Sequence, residues 1–67
     1  MFNGKKLREI RESKSITQEE LGEAAGVSGA AISYFENGYK TPKIDVAYRM
    51  AEFLGVKVDD FKTKRGE

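Results

Sequence analysis

The 67-residue chain is long enough for one domain, and it is close to the lower limit of what a hydrophobic core alone stabilises. It has no cysteine and no histidine, so thiolate and imidazole ligands and the commonest general base are missing. We therefore expect no enzyme, no metal and no cofactor. The net charge of +1 does not by itself indicate nucleic acid, and without an apolar run of about 18 residues we expect a cytoplasmic protein with no membrane contact.

Residues 4–14 are predicted to form an amphipathic helix. Leu7 and Ile10 are apolar at helical spacing among polar residues, and Asn3 is a suitable N-cap. The helix needs a partner along its apolar face.

A second helix is predicted to begin at Thr17. Thr17 can cap it while Glu20, three residues on, reaches back to the cap N–H in a capping box. Gly26 ends it, because glycine adopts the left-handed conformation at little cost. The residues predicted to face inward are Leu21, Ala24 and Ala25.

A third helix is predicted from a Ser28 cap to about Asn37. Ile32 and Phe35, three positions apart, are its expected buried residues. Asn37 and Gly38 are the two residue types best suited to a left-handed C-terminus.

The remaining elements are also helical. Pro42 is predicted in the first turn of a fourth helix that Gly55 ends, and a short fifth helix follows. The apolar residues that indicate these helices are Ile44, Ala47, Met50, Ala51 and Leu54 for the fourth, and Val56, Val58 and Phe61 for the fifth. We expect an all-α domain over residues 1–61, with residues 62–67 as a charged tail or the start of a linker.

The second and third helices have the spacing of a helix-turn-helix. Counting Gln18 as the first of twenty positions, Gly22 is fifth and Gly26 is ninth, where the helices approach and the chain turns. An ordinary αα-hairpin also uses a glycine turn. It does not, however, require the small fifth residue together with this apolar pattern.

The chain resembles the lambda-repressor/Cro-like (Xre) family of helix-turn-helix domains. The matching motifs, in order, are ITQEELG, GVS, ISYFENG, a proline soon after, and AEFLGVKVDDF. The resemblance implies a compact five-helix lambda-repressor-like domain with the helix-turn-helix at helices 2 and 3. It also implies a sequence-specific transcriptional regulator that binds double-stranded DNA with its recognition helix, about residues 28–37, in the major groove.

The resemblance also implies DNA-contacting residues. The candidates for base contacts are Ser28, Gly29, Ala30, Ser33 and Tyr34. The candidates for phosphate contacts are Thr17, Gln18, Asn37, Gly38, Lys40 and Lys43. None of the five base-contact residues is Arg, Lys, Asn or Gln, the residue types that read guanine or adenine bidentately. Gln18 could instead be simply exposed at the start of its helix.

Two further residue sets have expected roles. Arg11 and Glu36 match a structural ion pair between the first helix and the recognition helix. Phe53, with Val56 and Val58, is a candidate homodimer contact, because such repressors bind two half-sites about one helical turn apart. A partly covered surface aromatic is the alternative for Phe53.

The charge distribution keeps a second function open. Residues 17–38 carry four acidic and no basic residues, whereas residues 1–16 carry a net +3 and residues 39–67 a net +2. A negatively charged motif is unusual in a surface that binds the phosphate groups of DNA. The alternative is therefore a helix-turn-helix scaffold for protein–protein interaction, such as an adapter or antitoxin-like protein, with little DNA binding of its own.

Overall fold

The domain is built from helices, and a computed structural model describes its residues 1–62. Its α-helices are α1 Gly4–Ser13, α2 Gln18–Ala25, α3 Gly29–Glu36 and α4 Ile44–Leu54. They are followed by a 3-10 helix, Val58–Phe61. The expectation of five α-helices is therefore wrong by one, because the four residues of the last element form a tight turn that is too short for an α-helix. The all-α class is confirmed.

The predicted helix caps are present. The Asn3 side chain accepts hydrogen bonds from the Lys5 and Lys6 N–H groups at 3.1 and 3.2 Å. Thr17 and Glu20 form the predicted capping box, in which Thr17 Oγ1 accepts from the Glu20 N–H at 3.0 Å and Glu20 Oε1 accepts from the Thr17 N–H at 2.9 Å. Local chemistry thus fixes where α1 and α2 begin.

The capping box gives a pH dependence that can be tested. The hydrogen bond from the Thr17 N–H lowers the pKa of Glu20 below its ordinary value of 4.5. Since the folded-state pKa is depressed, the stabilisation is full above the unfolded-state value and is lost as the pH falls through the folded-state pKa. We expect the difference in unfolding free energy between the wild type and Glu20→Gln to be largest at neutral pH and to shrink in acid, as measured by urea unfolding. Glu23→Gln, an exposed change on the same helix, is the matched control, and a difference that does not vary with pH would contradict the assignment.

Helix α4 begins later than predicted. Pro42 precedes the helix instead of lying in its first turn, and Lys43 is the N-cap. Pro42 is buried, whereas Ile44, one of the apolar residues that indicate α4, is 66% exposed. Ile44 lies at the surface at the start of α4, where it lines a hollow together with Pro42 and Ala47.

Close approach of α2 to the turn and to α3 depends on Gly22. A Cβ atom at this position would lie 2.7 Å from the Val27 carbonyl oxygen and 3.0 Å from that of Ser28. The predicted need for a small residue at the fifth position is confirmed. The buried hydrophobic residues that the helices enclose are Leu7, Leu21, Ala25, Ile32, Phe35, Ala47, Met50, Ala51, Leu54 and Phe61.

The two ends of the described chain meet. Phe61 is fully buried, with its ring centroid 5.8 Å from that of Phe2, and Phe2 forms an antiparallel bridge with Lys62. Lys62, the first residue of the predicted tail, is therefore attached to the domain. The rest of that tail, residues 63–67, lies outside the described residues. No helix within residues 1–62 has the length and apolar character needed to cross a membrane.

Candidate nucleic-acid interface

A buried ion pair joins α1 to the end of α3. The Arg11 guanidinium donates to both carboxylate oxygens of Glu36, from Nε at 2.6 Å and from Nη2 at 3.2 Å, while Nη1 donates to the Ile16 carbonyl at 2.7 Å. The Arg11 side chain is 10% exposed and that of Glu36 is 2% exposed. The hydrogen bond with Glu36 raises the pKa of Arg11. The guanidinium therefore holds α1 against α3, and few of its N–H groups remain to bind a phosphate.

The start of α2 combines free backbone donors with a held side chain. The N–H groups of Gln18 and Glu19 have no protein acceptor among residues 1–62, as is usual in a first helical turn. Gln18 Nε2 donates to Glu36 Oε1 at 3.0 Å, so the amide is oriented by the buried ion pair. Thr17, by contrast, uses its own N–H and its hydroxyl oxygen in the capping box. Of the phosphate-contact candidates here, Gln18 has the better geometry for an anion.

The first residues of α3 are partly committed to local structure. Ser28 Oγ accepts a hydrogen bond from the Ala31 N–H at 3.0 Å, so its hydroxyl is best placed to donate to a further partner. Gly29 packs tightly against α2, since a Cβ atom there would lie 3.3 Å from Glu19 Cγ. Ala30 is exposed. Small residues at this end of α3 thus serve the crossing of α2 and α3 as well as any base contact.

Two candidate DNA contacts bind each other at the end of α3. Asn37 Nδ2 donates to the Ser33 carbonyl oxygen at 2.9 Å and to Ser33 Oγ at 3.3 Å. Because its oxygen accepts from Asn37, the Ser33 hydroxyl is oriented to donate. Ser28, the N-cap of α3, and Ser33, within α3, can therefore both donate a hydrogen bond to an acceptor on a base.

An aromatic and cationic cluster lies at the C-terminal end of α3. The rings of Tyr34 and Tyr39 meet edge to face with centroids 6.3 Å apart, and Lys40 Nζ lies 5.5 Å from the Tyr34 centroid. Gly38, at φ 80°, turns the chain back so that the Tyr39 N–H donates to the Tyr34 carbonyl oxygen at 2.9 Å. Tyr39 was not among the predicted site residues. The left-handed turn expected at Gly38 was the signal that could have placed it here.

Positive charge beside α3 comes from the loop that follows it. Lys40 and Lys43 are exposed, and Lys43 makes no side-chain hydrogen bond as the N-cap of α4. Helix α2, in contrast, exposes Glu19, Glu20 and Glu23. Lys40 and Lys43 therefore place positive charge after the C-terminal end of the recognition helix, and the exposed Arg49 places Nη1 3.5 Å from the Ala25 carbonyl oxygen, at the turn before α3.

The comparison with known proteins settles the family. A family model described as helix-turn-helix matches residues 7–61, and the predicted lambda-repressor/Cro-like relationship is confirmed. The chain belongs to this helix-turn-helix family.

Relatives of this helix-turn-helix domain differ in length. It is 44% identical over 55 residues to an HTH-type transcriptional regulatory protein of Methanocaldococcus jannaschii, covering 82% of this chain and 17% of the relative. It is 38% identical over 55 residues to an uncharacterised HTH-type transcriptional regulator of the same organism, covering 82% of this chain and 83% of the relative. The chain thus spans about a sixth of the first relative and most of the second.

A solved structure shares the whole fold. The P22 c2 repressor protein, solved in complex with a synthetic operator, has a TM-score of 0.85 and 27% sequence identity. The match covers 100% of this chain and 98% of that one. The arrangement of α2 and α3 in this helix-turn-helix domain is therefore shared with a repressor whose structure was solved on DNA.

The three candidate dimer contacts of the helix-turn-helix domain do not line one hollow. Phe53, which is 48% exposed, lies with Glu20, Glu23 and Ala24 beside α2. Val56 lines a hollow with Ile10 and Lys6 of α1, and Val58 lines another with Phe2 and Pro42. Both valines are partly buried, so Phe53 offers the larger exposed apolar group.

Within residues 1–62, no group of three or more acidic, histidine or cysteine side chains lies close enough together to hold a metal ion.

Proposed function

We propose that this protein is a sequence-specific DNA-binding transcriptional regulator whose domain spans residues 1–61. The observation that carries the proposal is the match along the full chain to a repressor solved with its operator. In this arrangement α3 enters the major groove and α2 lies across the sugar–phosphate backbone. The function requires access to DNA, and we therefore propose a cytoplasmic location.

Phosphate contacts are proposed at the two ends of the motif. The free N–H groups at the start of α2, together with the held Gln18 amide, suit a phosphate oxygen. Lys40 and Lys43 supply the charge on the other side of α3, with Asn37 and Gly38 between them and the helix. Base contacts are proposed for the donors Ser28 and Ser33, with Gly29, Ala30 and Tyr34 completing the surface that faces the bases.

We propose that the regulator binds as a homodimer on a two-fold operator. Phe53 supports this, because its exposed ring is apolar surface whose burial against a partner would be favourable. Val56 and Val58 could contribute at the rim of such a contact. Two half-sites would then be about one helical turn apart.

A salt titration on selected DNA tests the function. Duplexes enriched from a random pool should contain two half-sites, and binding should weaken steeply with salt because phosphate contacts release counterions. Lys43→Ala should weaken all sequences alike and reduce the slope of log affinity against log salt by about one. Lys57→Ala, which removes an exposed lysine that is not among the proposed DNA contacts, should change neither quantity in a variant that dimerises as the wild type does.

The alternative function remains an outcome of the same experiment. Three exposed glutamates on α2 and the lack of a bidentate reader on α3 favour a scaffold that binds another protein. If no duplex from the random pool is bound at low salt, DNA binding is excluded and the protein-interaction function is preferred.

A further inference from the structure

The cluster of Tyr34, Tyr39 and Lys40 has a geometry that suits recognition of an apolar base edge. Tyr34 is 47% exposed on α3, and Tyr39, 78% exposed, meets it edge to face. Lys40 lies over the Tyr34 ring. An exposed ring in a loop or on a helix is normally free to change rotamer, but two neighbours restrict this one.

The exposed residues of α3 determine what this ring can read. Ala30 and Tyr34 are four residues apart and so are neighbours on the helix surface, where both are exposed. Beside them Ser33 has a hydroxyl, the Asn37 amide is bound to Ser33, and the Lys40 ammonium lies over the Tyr34 ring. In the major groove only thymine presents an apolar group, its C5-methyl. The chemistry of this surface therefore favours thymine.

We propose that Tyr34 reads a thymine methyl group in the major groove, and that Tyr39, together with Lys40, is the positioning residue that holds its ring for this contact. The proposal rests on the proposed DNA-binding function. Gly38 makes it possible, because its left-handed conformation folds the chain back and places Tyr39 beside the preceding helix. Lys40 keeps its ammonium group near the groove edge, where it can also meet a phosphate.

Replacement of thymine by deoxyuridine tests this directly, since it removes only the methyl group. In duplexes selected by the wild-type protein, each thymine is replaced in turn and affinity is measured at constant salt. At one or more positions per half-site the wild type should lose about fourfold in affinity, the value of one buried methyl group. Tyr34→Ala and Tyr39→Ala should bind thymine and deoxyuridine equally at those positions, whereas Tyr39→Phe, which keeps the ring contact, should discriminate as the wild type does.

Controls separate positioning from folding. Tyr48→Ala removes a tyrosine of 61% exposure on α4 and should leave the discrimination unchanged. Because Tyr39 is exposed, Tyr39→Ala should leave the thermal midpoint within about 4 °C of the wild type. If Tyr39→Ala retains the wild-type preference for thymine, or if no deoxyuridine position affects the wild type, the proposal is wrong while DNA binding stands. Failure of the wild type to bind any selected duplex would instead refute the proposed function and, with it, this role of Tyr39.

Discussion

Replacing Glu36 by alanine is expected to lower the free energy of unfolding by about 3–5 kcal/mol. The change leaves the Arg11 guanidinium, 10% exposed, without the carboxylate to which it donates two hydrogen bonds, and with Glu12 Oε2 at 3.9 Å from Nη2 as the nearby carboxylate that remains. Arginine cannot escape this by losing its proton, and the pKa of Arg11 is raised in the folded protein by its hydrogen bond with Glu36. A domain of this size has a total stability of roughly 3–10 kcal/mol, so Glu36→Ala should be largely unfolded or close to it at 37 °C.

Urea unfolding followed by circular dichroism measures this loss. The double variant Arg11→Met/Glu36→Leu should regain much of the stability, because it removes both charges and keeps apolar bulk at the site. Asp59→Ala, which removes the partner of Lys62 in an exposed ion pair, should cost less than about 1 kcal/mol. A loss below about 1 kcal/mol for Glu36→Ala would show that the pair does not hold α1 on α3.

Phe61→Ala is expected to lower the free energy of unfolding by about 3–5 kcal/mol as well. The ring is fully buried and packs on Phe2, so its removal opens a cavity where the two ends of the described chain meet. The bridge between Phe2 and Lys62 depends on the same packing. The variant should therefore lose order at both ends of the domain, which hydrogen exchange at the Asn3 amide can measure, since its N–H donates to the Phe61 carbonyl oxygen.

Phe53→Ala is the matched control for Phe61→Ala. It removes the same side chain from a position that is 48% exposed, so the monomer should lose about 1 kcal/mol or less. Equal losses for the two variants would mean that the 3-10 helix is not anchored by Phe61.

Several elements could be predicted from the sequence because their causes are local. Thr17 and Glu20 are three residues apart and satisfy each other's hydrogen bonds wherever the helix lies. Gly26, at φ 77°, ends α2 because glycine adopts the left-handed backbone conformation at little cost. The start of α4 was less predictable, because proline is compatible both with the first turn of a helix and with the residues that precede the helix. The exposure of Ile44 does not follow from its spacing, because it depends on how α4 packs.

The candidate site was predicted as a set of positions, but not as a set of contacts. The motif indicated Gln18, Ser33 and Asn37 as separate DNA contacts. In the structure Gln18 donates to Glu36, and Asn37 donates to Ser33. These bonds orient the side chains before any ligand is present, and they were missed because family position says nothing about a residue's partners in the free protein.

The sequence alone determined the helix-turn-helix, its caps, its turn and most of its core, since the caps and the turn depend on neighbouring residues and the helices and their buried faces follow from spacing along the chain. Only the tertiary structure decided how those pieces meet. Glu36 reaches both Arg11 and Gln18 because the end of α3 lies beside α1 and the start of α2, and Phe2 reaches Phe61 because the two ends of the described chain pack together. The physical reason is that propensity and spacing act along the chain, whereas ion pairing and ring contacts depend on distances in space that the packing of the core sets.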